Sequence, residues 1–215
     1  MNLTGQMPFN WFDIVVCLML FAGYKRGQAR GMSQESFTVM KWLAIVILAA
    51  IGYEPLGLWI STMATLSKLT SFMIAYAAIA GVVALIFVFL TGSLGEKLKG
   101  SDAFGKSEFY LAKPAGMLRF LCIVLALLAL LNARFYSTAE VNAMNKFQND
   151  NYGSSFFPTL CSIQDGVFKD SFLGKQAKEY ISFLFIKPTP ATGNRQTAGS
   201  GSNPSSGKQR EYKLP

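Results

Sequence analysis

Four apolar stretches divide the chain, and basic residues gather between them. The cleanest covers residues 70–93, twenty-four residues without a charge. A bilayer core of about 30 Å takes about 20 such residues as a helix, and in hydrocarbon a lone segment satisfies its backbone hydrogen bonds only as a helix. A second stretch covers 114–133. Pro114 suits a first helical turn, where its missing N–H costs nothing, and Arg119, one turn in, can snorkel toward the headgroups. Two shorter stretches precede these. Residues 9–24 carry Asp13; residues 37–53 carry Lys41 near the start and stop at Glu54-Pro55. Either could be interfacial or re-entrant, but the charge polarity favours four spans.

That polarity follows the loops. With both termini outside, the inner segments hold Lys25, Arg26, Arg30, Lys41, Lys97, Lys99, Lys106, Lys113 and Arg119, nine cations. The nearby outer segments hold three, Lys68, Arg134 and Lys146. Basic residues concentrate on the cytoplasmic side of membrane proteins, so the pattern predicts N-out, C-out and two inner loops. No Lys or Arg precedes the first apolar run, which argues against a cleaved secretory signal and for a retained helix.

After the fourth span, residues 134–190 mix apolar clusters such as Phe156-Phe157 and Val167-Phe168 with Lys169, Lys175, Lys178 and Lys187. This pattern fits short amphipathic helices on the outer leaflet, and equally an extramembrane cap packed on the bundle. Residues 191–215 are dominated by Gly, Ser, Thr, Asn and Pro, and are expected to be a disordered tail. The expected fold is therefore all-α and integral to the membrane. A four-helix domain (9–133) precedes the interfacial or extramembrane region and the tail.

Composition supports lipid as the solvent: 51% of the 215 residues are hydrophobic and 15% charged, against roughly 25% charged in soluble domains. The net charge of +8 sits at the ends of apolar runs. It is read as an orientation signal and as a contact between the basic inner loops and anionic lipid, not as a nucleic-acid surface. Histidine is absent, and Cys17, Cys122 and Cys161 match no metal spacing. Cys17 and Cys122 lie inside apolar runs and are expected to pack as small hydrophobes. Gly100, Gly105, Lys106 and Ser107 spell a phosphate-loop string, but a membrane helix precedes it where a P-loop needs a buried strand. No cofactor and no catalytic residue is expected.

Gly23, Gly27 and Gly31 recur every four residues, with Arg26 and Arg30 in register beside them. On one helix the glycines form a smooth stripe for close packing. Ala77 and Gly81 repeat that pattern in the third span. Charged groups at membrane depth need partners, and two ion pairs are expected, Asp13 with Arg134 on the outer face and Glu35 with Arg119 on the inner. Their expected role is to staple the bundle at headgroup level, facing water. The rival reading is a proton or ion path.

Asp13, then Gly23-x-x-Arg26-Gly27-x-x-Arg30-Gly31-x-x-x-Glu35, resembles the N-terminal signature of the colicin V production protein (CvpA-like) family. Gly116-Met-Leu-Arg119 resembles that family's second glycine–arginine element. The likeness covers residues 9–133, and the long region after Arg134 goes beyond a minimal member. It implies a multi-pass protein of the bacterial inner membrane, linked to toxin production or export and to envelope homeostasis. It implies no known molecular activity and no catalytic residues. The expectation is a non-enzymatic accessory, working as a homo-oligomer or within a membrane complex; the alternative is a small channel or transporter subunit. An enzyme acting on lipid has no histidine, metal motif or nucleophile–base pair to rest on.

Overall fold

The computed structural model describes residues 10–64, 66–99, 105–152 and 159–190. The expected tail, 191–215, lies outside the described residues, as does Gly100 of the phosphate-loop string. Four long helices dominate: α1 (Trp11–Arg30), α2 (Met32–Met63), α3 (Lys68–Lys99) and α4 (Glu108–Asn132). Three stretches are long and apolar enough to cross a membrane, Met32–Met63, Lys68–Gly92 and Glu108–Asn132. α1 is not among them, because Asp13, Lys25 and Arg26 fall within its length.

α1 opens on a capping box. The Asn10 side chain accepts from the Trp11 amide at 2.6 Å, and the Asp13 carboxylate accepts from the Asn10 amide at 2.9 Å. It ends at Gly31, whose φ of 77° and ψ of 163° lie where a side chain is strained. The three-glycine stripe is thereby corrected: Gly23 and Gly27 lie on α1, whereas Gly31 is the single residue breaking the chain between α1 and α2. α2 also departs from expectation, running through Pro55 to Met63 instead of stopping at Tyr53. Proline deprives the Ile51 carbonyl of its helical donor, yet packing against α3 holds the helix beyond it. Tyr53 and Phe72 meet edge-to-face with ring centres 5.6 Å apart, and Gly57 lies against Phe72.

α2 and α3 form an antiparallel pair, with Gly52 near Ile79 and Gly57 near Phe72. α1 and α4 form another, with Gly23 near Gly116 and Gly27 near Ala112. α4 also packs on α2, which gives the lateral order α1–α4–α2–α3. Only 17% of the apolar stretch of α3 is buried within the chain, so most of its apolar surface faces outward. Ala77 and Gly81 are on that outward side, with nothing near Gly81, so this second small-residue pattern does not pack helices within the chain.

The described residues after α4 gather at the end of the bundle where α1 begins and α4 ends. Strand β1 (Arg134–Phe135) pairs in parallel with β2 (Thr189–Pro190), closing the segment into a loop. Between them lie α5 (Thr138–Tyr152), α6 (Leu160–Asp165), a π-helical turn (Gly166–Asp170), α7 (Phe172–Tyr180) and a 3-10 turn (Ser182–Leu184). Val167, Phe168, Phe185 and Ile186 join Tyr53, Phe72 and Leu128 in one buried apolar cluster. The segment is a cap packed on the bundle, and its core is shared with the long helices. α5 is the exception, since none of its described side chains is buried.

Candidate functional site

Asp13 is 1% exposed although its carboxylate sits at the start of α1. It accepts from Ser171 Oγ at 2.8 Å, from the Phe172 amide at 3.1 Å and from the Leu173 amide at 2.9 Å, besides the Asn10 amide. The last two α7 donors belong to the first turn of that helix, whose free N–H groups and positive dipole end favour an anion. Ser171 completes the arrangement as the N-cap of α7, its hydroxyl oxygen accepting from the Gly174 amide at 3.0 Å. Asp13 therefore ties the cap to α1.

This corrects the expected outer pair, because Arg134 is paired elsewhere. Its guanidinium lies 3.3 Å from Glu140 and stacks over the Tyr136 ring at 4.5 Å. Nothing in the sequence around Asp13 points to Ser171, 158 positions away. A Ser-x-x-Gly turn before a short amphipathic run was the available signal for an N-cap, but not for what the helix end would meet.

At the opposite end of the bundle, Glu35 of α2 and Arg119 of α4 form an ion pair. Glu35 is fully buried and Arg119 is 5% exposed, so this pair does not face water as expected. The guanidinium also lies over the Phe120 ring, 4.8 Å from its centre, and Arg26 and Arg30 act on it electrostatically from α1. Both arginines on α1 are exposed. The second Glu35 oxygen, Oε2, has no hydrogen-bond partner among the described residues. Glu108, in the first turn of α4, lies beside Gly31 and accepts from the Ser33 amide at 3.4 Å. The break at Gly31, the start of α2 and the buried pair thus form one polar junction.

The ion pair stands next to a close backbone contact between α1 and α4. A Cβ at Gly27 would collide with the Ala112 carbonyl oxygen, and one at Gly116 with the Gly23 carbonyl oxygen. A Cβ at Gly23 would lie 2.6 Å from Gly116 O and 2.8 Å from the Phe120 ring. Such backbone approach needs small residues on both helices. The complementary Ala112-x-x-x-Gly116 step on α4 was not singled out as a step, although Gly116 was, because it straddles Pro114 at the expected start of the span.

No known family, curated protein or solved structure matches the chain.

Other expected features fall as follows. Cys17 is exposed on α1 instead of packed, whereas Cys122 and Cys161 are buried and free. Gly105–Ser107 forms a 3-10 turn leading into α4. Among the described residues no group of His, Cys, Asp or Glu has a metal-binding arrangement. Two further buried polar groups were not anticipated: Ser71 Oγ and Tyr76 Oη on α3 have no hydrogen-bond partner among the described residues.

Proposed function

We propose that this chain is a four-span protein of the bacterial cytoplasmic membrane and serves as a non-enzymatic accessory in toxin export or envelope maintenance. α1 supplies the fourth span in this reading. The observation that carries it is the antiparallel run of α1 along α4, from Gly27 beside Ala112 at one end to Phe12 and Leu128, which line one cavity, at the other. Trp11, Ile14, Val15, Leu18 and Phe21 are all exposed on α1. A helix laid along a membrane-length neighbour, with such an apolar outer face, crosses with it. Charge polarity places the Gly31 junction inside and the cap outside. The accessory role rests on the resemblance to the colicin V production family and on how the buried charges are used: Asp13 holds the cap, and Glu35–Arg119 joins α2 to α4.

Single cysteines at Thr4, Gln28, Ala64, Ser107 and Asn149, in a background without the native cysteines, test the topology with an impermeant thiol reagent. Thr4, Ala64 and Asn149 should label from outside, and Gln28 and Ser107 only after permeabilisation. Labelling of Thr4 and Gln28 from the same side would refute a crossing by α1. For the role, loss of the chain should weaken the host's envelope barrier or its toxin export; a host unchanged in both would refute the accessory reading.

A second reading is favoured by one observation, the buried and unpartnered Oε2 of Glu35. A carboxylate so placed could carry a proton or cation, as in a small channel or transporter subunit. Flux through proteoliposomes that disappears on Glu35→Gln would favour transport; absence of flux for protons and common ions would count against it.

A further inference from the structure

At the outer end of α4, directly past the apolar helix, the cap lines a half-open cavity of about 370 Å³. Its lining includes Arg134, Lys169 and Lys178 against a single carboxylate, Asp165. The cations come from three separate elements: β1, the π-helical turn and α7. Lys169 is engaged with Asp165 at 2.8 Å. Lys178 has no carboxylate partner among the described residues and lies over the Phe168 ring at 5.5 Å. Arg134 gives one terminal nitrogen to Glu140, and its side chain is 37% exposed, so part of the guanidinium stays open to the cavity it lines.

We propose that this cavity is a binding site for a phosphate-bearing ligand. Arginine presents a planar fork of donors that matches phosphate oxygens, and lysine adds a point charge without demanding one geometry. Arg134 is held ready by its neighbours. Its ring partner Tyr136 fixes the guanidinium plane, and Gln164 donates to the Arg134 carbonyl oxygen at 3.0 Å. Phe135 and Val141 give the cavity an apolar wall, suited to the carbon skeleton that carries the phosphate. The volume falls within the range of about 300–1,000 Å³ usual for small-molecule sites.

Position bears on the source. Asn132 ends a helix long enough to cross a bilayer, and Arg134 follows two residues later. With α4 crossing the bilayer as in the proposed function, on which this step rests, that is the depth at which lipid phosphates lie. Phosphate can therefore reach the site from a lipid headgroup or as a free ion, and the same donors would recognise both.

The test uses the full chain in phosphatidylcholine nanodiscs, titrated calorimetrically with dihexanoyl phosphatidic acid and, separately, with inorganic phosphate; empty nanodiscs are the blank. Saturable binding is expected. Lys178→Gln should weaken it about tenfold, the order of one charge-assisted hydrogen bond. Lys175→Gln, also exposed on α7 but outside the lining, should leave it unchanged. Arg134→Gln should abolish binding, and Lys178→Gln keeps the test valid if loss of the Glu140 pair unfolds the cap. Tighter binding of phosphatidic acid than of phosphate identifies a lipid headgroup; equal or tighter binding of phosphate identifies the free ion. No saturable binding of either, or equal losses in Lys178→Gln and Lys175→Gln, would overturn the proposal.

Discussion

Removing Arg119 while leaving Glu35 in place gives the most demanding test of the junction. Glu35 is fully buried, so in Arg119→Met its carboxylate loses its counter-ion without gaining water. Two unit charges at roughly 3 Å attract by about 5 kcal/mol at an effective dielectric constant of about 20. Measured losses on breaking buried pairs run to about 3–5 kcal/mol. Arg26 and Arg30 offset part of this, since both oppose a further positive charge at Arg119. A loss of about 3–4 kcal/mol is therefore expected for Arg119→Met, and a similar loss for Glu35→Gln, which strands the arginine. The double variant carries no stranded charge and should lie within about 1–2 kcal/mol of the parent, because replacing a whole buried pair is often close to neutral. The assay is reversible unfolding in mixed micelles, with helicity followed by circular dichroism. Coupling of about 3 kcal/mol or more between the two sites is the expected result. Strictly additive losses would refute the claim that these side chains hold each other at the junction of α2 and α4.

Gly27→Ala should cost about 1–3 kcal/mol, the range for overpacking, because its Cβ meets the backbone oxygen of Ala112; Gly81→Ala, with nothing nearby, should be neutral in the same unfolding assay. Equal effects at the two glycines would remove the close α1–α4 contact from the account. Asp13→Ala leaves Ser171 and the Phe172 and Leu173 amides without their acceptor, at about 1–3 kcal/mol for each buried donor left unsatisfied. Hydrogen exchange should accelerate in α7 and the preceding turn well before the long helices respond, and uniform acceleration would contradict a local staple. The Lys187 ammonium is 2.8 Å from Glu54, and that hydrogen bond and charge raise its pKa above the ordinary lysine value. A raised folded pKa stabilises fully below the unfolded value of about 10.4 and fades as pH rises through the folded one. The difference in cap protection between the parent and Glu54→Gln should thus be constant from pH 7 to about 10 and fade as pH rises through the raised folded value; a difference that does not fade with rising pH would exclude the ion pair as its source.

Much of the helical framework was legible because apolar length is a local property. Residues 70–93 lie inside α3, and 114–133 lies inside α4 except for its last residue, α4 starting earlier, at Glu108; an apolar run of that length in lipid has helix as its available structure. The meeting of Glu35 with Arg119 was also readable, since each enters its helix from the same end. Helix limits were less legible. Pro55 reads as a stop, yet the face beyond it packs on Phe72 and the helix continues. Gly31 reads as the third member of a stripe, yet its backbone turns the chain. A four-residue spacing cannot distinguish a glycine that admits a neighbour from one that ends a helix.

The sequence by itself determined the apolar length of the long helices and where basic charge gathers, because hydropathy and charge act over a few turns and need no knowledge of neighbours. Only the tertiary structure decided which charges meet. Asp13 could reach Arg134 in a drawing of spans, but α7 brings Ser171 and two free amides to it first, and a helix N-terminus with matched hydrogen bonds satisfies a buried carboxylate as well as a cation does. Arg134 is thereby left to Glu140 and to the cation-lined cavity of the cap. Contacts across more than a hundred residues depend on which end of which helix the chain returns to, and no local pattern encodes that return.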